Sequence, residues 1–114
     1  MTTVINIKKE NLKNLGYESL EEWKKNKKHL YIGRNMSFYV AGSDKSKWSN
    51  PFSLKKFGRD ECLKLYEEYI IKNTELYNAL DELDGLTLGC WCAPSKCHGD
   101  VLIKLLEQKK QATI

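Results

Sequence analysis

Between Leu86 and Leu106 the apolar pattern changes period, and that change constrains the fold more than any other stretch. Leu86 to Cys92 reads as a strand, and from His98 onward Val101, Leu102, Leu105 and Leu106 recur at helical spacing. Gly85 stops whatever precedes the strand, and Pro94 and Ser95 turn the chain between strand and helix. Upstream, Cys62, Leu63, Tyr66, Tyr69 and Ile70 form a helical stripe over Arg59–Lys72. Asn73 or Thr74 caps a second helix that turns Leu76, Leu80 and Leu83 inward. Strand signals also lie at Val4–Ile7, His29–Ile32 and Phe38–Ala41, the last two paired as a hairpin around "GRNMS". Ser19-Leu20-Glu21-Glu22 fits a capping box that opens a short helix. Strands and helices in this order require crossover connections. The expected fold is therefore an α/β single-domain sandwich: a small mixed, largely parallel sheet flanked by helices, Rossmann-like in outline.

With 114 residues the chain forms one domain with one core. No apolar run approaches the roughly 20 residues of a membrane span, and "MTTVINIKKE" lacks a signal peptide's apolar centre. A soluble, intracellular (cytoplasmic) protein with no membrane partner is expected. In a reducing compartment, clustered cysteines point to metal binding or chemistry rather than to disulfides.

The net charge of +4 permits a phosphate-bearing partner without requiring one. The kind of base is more informative than the total. Only two of the 19 cations are arginine, Arg34 in "YIGRN" and Arg59 in "FGRDE", and both follow glycine. In so lysine-rich a chain they mark places where a planar fork is needed, or else surface ion pairs.

"GCWCAPSKCHGD" holds three of the four cysteines and one of the two histidines, where the strand gives way to the helix. Three accounts stay open at this stage. Cys97 lies at a helix N-terminus, where the dipole and His98 would lower its pKa, so that Cys97, His98 and Asp100 form a catalytic set. Alternatively Cys90, Cys92, Cys97 and His98 supply the S, S, S and N of a tetrahedral zinc site, although C-x-C-x4-C-H departs from the usual spacing. Or small thiols pack under a helix, with Asp100 capping it. The cofactor is accordingly none or zinc. Cys62, on its helical stripe, reads as an inert buried thiol.

"YIGR", "SKWSNPF", "GRDEC" and "LGCWCAPSKCHGDVL", in that order over residues 29 to 106, resemble domain-of-unknown-function family 4326, found in bacteria, phages and large DNA viruses. The resemblance implies that Arg34, Trp48, Asn50, Pro51, Phe52, Arg59, Cys90, Cys92, Cys97, His98 and Asp100 belong to one pattern. It also implies a nucleotide, nucleoside or nucleic acid as substrate class. Residues 1–28 resemble an N-terminal extension, 29–110 the core domain and 111–114 a tail. The sequence departs from the family at Ser49, where glycine is usual, which asks for a less permissive backbone.

Taken as one pocket, Arg34 and Arg59 would fork onto phosphate and Trp48 would stack on a base. Asn50, held extended before Pro51, would offer its amide to a base edge or sugar hydroxyl. Phe52 reads as a hydrophobic latch. The expectation is a small hydrolase or transferase acting on a nucleoside or sugar–base linkage. Its rivals are a zinc-stabilised nucleic-acid-binding module without catalysis and a structural or interaction domain. Oligomeric state is left open.

Overall fold

In the computed structural model of the protein, residues 2–92 and 96–112 are described, Leu54 by its backbone alone. The expected turn at Pro94 and Ser95 lies outside these residues. Three parallel strands, β1 (Thr3–Asn6), β2 (His29–Tyr31) and β3 (Thr87–Cys90), form one sheet in the order β1-β3-β2. Val4 pairs with Leu88 and Leu30 with the same Leu88, so the last strand in sequence is central. The sheet expected as mixed is parallel throughout the described residues.

Strand alternation sorts the core into two faces, as a period of two requires. Val4, Leu30, Ile32, Leu88 and Cys90 face one cluster with Trp48, Tyr66, Ile70, Leu80, Leu102 and Leu106. Ile5, Ile7 and Tyr31 face the other, with Leu12, Leu20 and Trp23. The first cluster is closed by α4 (Arg59–Lys72), by α5 (Thr74–Ala79) running into a 3₁₀ turn at Leu80–Leu83, and by α6 (His98–Ala112). The second is closed by α1 (Lys9–Asn14) and α2 (Leu20–Lys24). The result is a three-layer α/β sandwich. A one-turn helix, α3 (Leu54–Phe57), precedes α4.

Local chemistry explains the element ends. The Ser19 hydroxyl accepts from the Glu22 amide at the start of α2, and Asn73 Oδ1 accepts from the Leu76 amide at the start of α5. β1, placed by resemblance in an N-terminal extension, is an integral strand. The Ile7 amide continues its ladder onto the Cys90 carbonyl at 3.0 Å. No helix among the described residues is long and apolar enough to cross a membrane.

One expected element does not form. Phe38–Ala41 is a turn, not the second strand of a hairpin. Asn35 Oδ1 accepts from both the amide and the hydroxyl of Ser37, and the Met36 carbonyl accepts from the amides of Tyr39 and Val40. The side-chain oxygen of Asn35 offers the backbone a local partner that competes with a ladder, and the aromatic composition alone does not outweigh it.

A cationic concavity with a buried thiol floor

Beyond the carboxyl ends of β2 and β3, where ligands of parallel α/β sheets bind, lies a concavity of about 730 Å³. Gly33 and Arg34 leave β2, Trp91 and Cys92 leave β3, and Arg59 and His98 open α4 and α6 into it. The remaining wall is the loop around Asn50. Of the expected residues, the structure brings Arg34, Asn50, Arg59, Cys92, Cys97 and His98 together there. The two segments that carry the arginines are far apart in sequence and meet at this one opening.

Each arginine is preceded by glycine for a different reason. Gly58, the N-cap of α4, has φ +79°, a conformation glycine adopts without Cβ strain. At Gly33 a Cβ would collide with the Tyr31 ring, whose hydroxyl donates to the Arg34 carbonyl at 2.5 Å. The Arg59 guanidinium donates to the Lys96 carbonyl at 2.6 Å, tying the start of α4 to the chain two residues before α6. Lys55 and Lys96 complete a set of four cations on the wall, and no Asp or Glu lines it among the described residues. None of the four is in an ion pair among the described residues.

Trp48 is not part of the opening. It is 1% exposed, packs in the main core and has its carbonyl bound by the Tyr66 hydroxyl at 2.6 Å, so it has no face free to stack on a base. The aromatic residue on the wall is Trp91, which the sequence reading passed over as the end of a strand. Its indole N–H donates to the Tyr31 hydroxyl at 2.9 Å and its ring is half-buried, so it forms a fixed plane. The signal for it was alternation: flanked by Cys90 and Cys92, Trp91 leaves the strand by the opposite face.

Asn50 uses its amide on the loop itself. Oδ1 accepts from the Phe52 amide at 2.9 Å and Nδ2 donates to Cys62 Sγ at 3.2 Å, while the Cys62 thiol donates to the Phe52 carbonyl. This clasp positions the "NPF" wall, so Asn50 is a positioning residue and Cys62 is more than inert filler. Ser49 needs no special backbone, since the only positive φ angles among the described residues are at glycine.

The sulfur corner is dry. Cys90 and Cys97 are 1% and 2% exposed, with their sulfurs 3.1 Å apart. The hydrogen bond to Cys90 and burial push the Cys97 thiol far up, against the smaller pull of the Gly99 and Asp100 amides. Burial and the Cys90 contact thus oppose the dipole activation expected of Cys97. Asp100 is exposed and accepts from the Cys97 amide at 3.0 Å, which caps the helix. The zinc arrangement does not fit either. Two thiolates on one tetrahedral zinc stand about 3.8 Å apart given bonds of about 2.3 Å. His98 Nε2 is committed to the Ile32 carbonyl at 2.7 Å, and no group of three Cys, His, Asp or Glu converges among the described residues.

His98 retains chemical capacity. Burial holds its pKa below the ordinary 6.5, against opposing pulls from the Ile32 carbonyl and Asp100. A neutral ring that donates Nε2–H to Ile32 keeps its lone pair on Nδ1, and His98 is among the residues that line the concavity.

The profile of the family described as Domain of unknown function (DUF4326) matches residues 17–108. The chain belongs to this family. All of the wall residues lie inside the matched span, whereas β1 and α1 precede it. Uncharacterized protein R718 of Acanthamoeba polyphaga mimivirus is 36% identical over 85 residues, covering 67% of this chain and 65% of that protein. The uncharacterized 12.4 kDa protein of the nrdA-td intergenic region of Enterobacteria phage T4 is 31% identical over 65 residues, 54% of this chain and 60% of its own. The chain thus spans a little under two thirds of either relative. No solved structure matches it.

Proposed function

We propose that the concavity seats the phosphate of a nucleotide or of a nucleic-acid end. One observation carries this: both arginines of the chain and two lysines line a single opening that no carboxylate lines among the described residues. Four positive charges without an ion-pair partner among the described residues suit a polyanion, and guanidinium forks match phosphate oxygens. Trp91 supplies the plane on which a base would rest. His98 lines the same space, and its Nδ1 would serve as hydrogen-bond acceptor or general base towards a sugar or base proton, which would make the domain a small enzyme acting on the nucleoside portion. The mechanism proposed uses no thiol, since Cys97 is 2% exposed with its sulfur against that of Cys90.

Calorimetric titration with a nucleoside and with its 5′-monophosphate tests the proposal. The monophosphate should bind at least roughly tenfold more tightly, and Arg59→Ala should abolish that difference, as loss of a charged hydrogen bond implies. A nucleoside bound as well as its phosphate would overturn it.

A further inference from the structure

The basic character of the chain is concentrated in one segment. Residues 33–59 hold six cations, Arg34, Lys45, Lys47, Lys55, Lys56 and Arg59, against one acid, Asp44. That is a net of +5 in a chain whose total is +4, so everything outside the segment sums to −1. The same segment begins and ends on the wall of the concavity, at Gly33 and Arg59. Between them it exposes Phe38 and Tyr39 by 92% and 78%. Their rings stand edge to face, 5.2 Å apart, on the turn built by Asn35 and Met36. Lys24 secures the far side of that turn by donating to the Gly42 carbonyl. Two adjacent rings held in water by a hydrogen-bonded turn are not explained by the core. A basic surface interleaved with exposed aromatics has the composition of a strand-binding face: cations follow the phosphates while rings stack on bases whatever their sequence.

We infer that the ligand is a single-stranded nucleic acid rather than a free nucleotide, with one nucleotide in the concavity and a base further along stacked on the Phe38–Tyr39 pair. This rests on the phosphate seat proposed above and extends it outward. Phe38 is four residues from Arg34, at most about 14 Å of chain, a gap that a short run of nucleotides bridges. Lys45, Lys55 and Lys56 are all exposed to meet the backbone.

The test uses the full chain and four ligands: 5′-phosphorylated dT12, 5′-phosphorylated U12, a dT12·dA12 duplex and thymidine 5′-monophosphate. At least one single strand should bind roughly tenfold or more tightly than the mononucleotide, and better than the duplex; which of the two does so distinguishes DNA from RNA. The double variant Phe38→Ala/Tyr39→Ala removes no buried contact. It should weaken the single strand roughly five- to hundredfold, the loss expected for a stacked base, and leave the mononucleotide within twofold. Unchanged single-strand binding by the variant, or single strands bound no better than the mononucleotide, overturns the inference and leaves the seat standing. Failure of every ligand to bind overturns both. If the double variant alters only oligomeric state, measured by light scattering, the pair is a protein contact and the inference fails.

Discussion

The sulfur corner and the arginine wall border the same opening, yet they differ in the one property that decides reactivity. Cys90 and Cys97 are almost wholly enclosed and face each other, so the thiol proton of Cys97 is retained. Arg34 and Arg59 are reached by solvent, carry permanent charge and pair with no carboxylate among the described residues. A cluster of chemically capable side chains in a sequence therefore does not locate chemistry by itself. Burial encloses Cys90 and Cys97, while the arginines and parts of Trp91 and His98 reach the opening. The dry side should govern stability and the wet side binding.

The largest effect expected from this division is on the dry side. Trp48→Ala empties a buried indole site beneath Tyr66 and should destabilise the fold by about 3–5 kcal/mol in denaturant titration. A loss under about 1 kcal/mol would mean that Trp48 is not core. Thiol accessibility sharpens the contrast next. Of the four cysteines, only Cys92 is partly exposed, so a thiol reagent should label one equivalent rapidly at neutral pH and the other three only after unfolding. Rapid native labelling of Cys97, located by peptide mapping, would restore the activated nucleophile.

The smallest effect is on pH dependence. The pKa of His98 is lowered in the folded protein, so the folded state holds fewer protons on this ring than the unfolded chain does. Its contribution is present above about pH 6.5 and is lost as pH falls below that value. Thermal melts of the wild type should therefore lose stability between pH 6.5 and pH 5 relative to His98→Gln, which keeps a donor for the Ile32 carbonyl. Parallel curves for the two proteins would place His98 in solvent.

Much of this arrangement was legible in the residues. Arg59–Lys72, the caps at Ser19 and Asn73, and the strand-to-helix switch carry local signals of period and capping that tertiary contacts only reinforce. The arginines stood out because a lysine-rich chain uses so few. What local pattern could not supply was which side of a surface a ring lies on. Trp48 sits in a polar loop and reads as exposed, but Tyr66, eighteen residues later, draws that loop into the core. Trp91 reads as strand, but the strand ends just before it and leaves the ring at the opening. The surroundings of Cys97 were hidden in the same way: a helix N-terminus lowers a thiol pKa, while burial against the Cys90 sulfur, which no local pattern reveals, raises it.

The rarity of arginine offers a direct test of the phosphate seat. Side-chain Nε–H nitrogen–proton spectra of this protein contain two arginine signals, from Arg34 and Arg59. Titration with a nucleoside 5′-monophosphate should move both with a single dissociation constant that weakens as salt is added. Movement of one signal alone, or of neither while the nucleotide binds elsewhere, would show that the two guanidinium groups do not share a ligand.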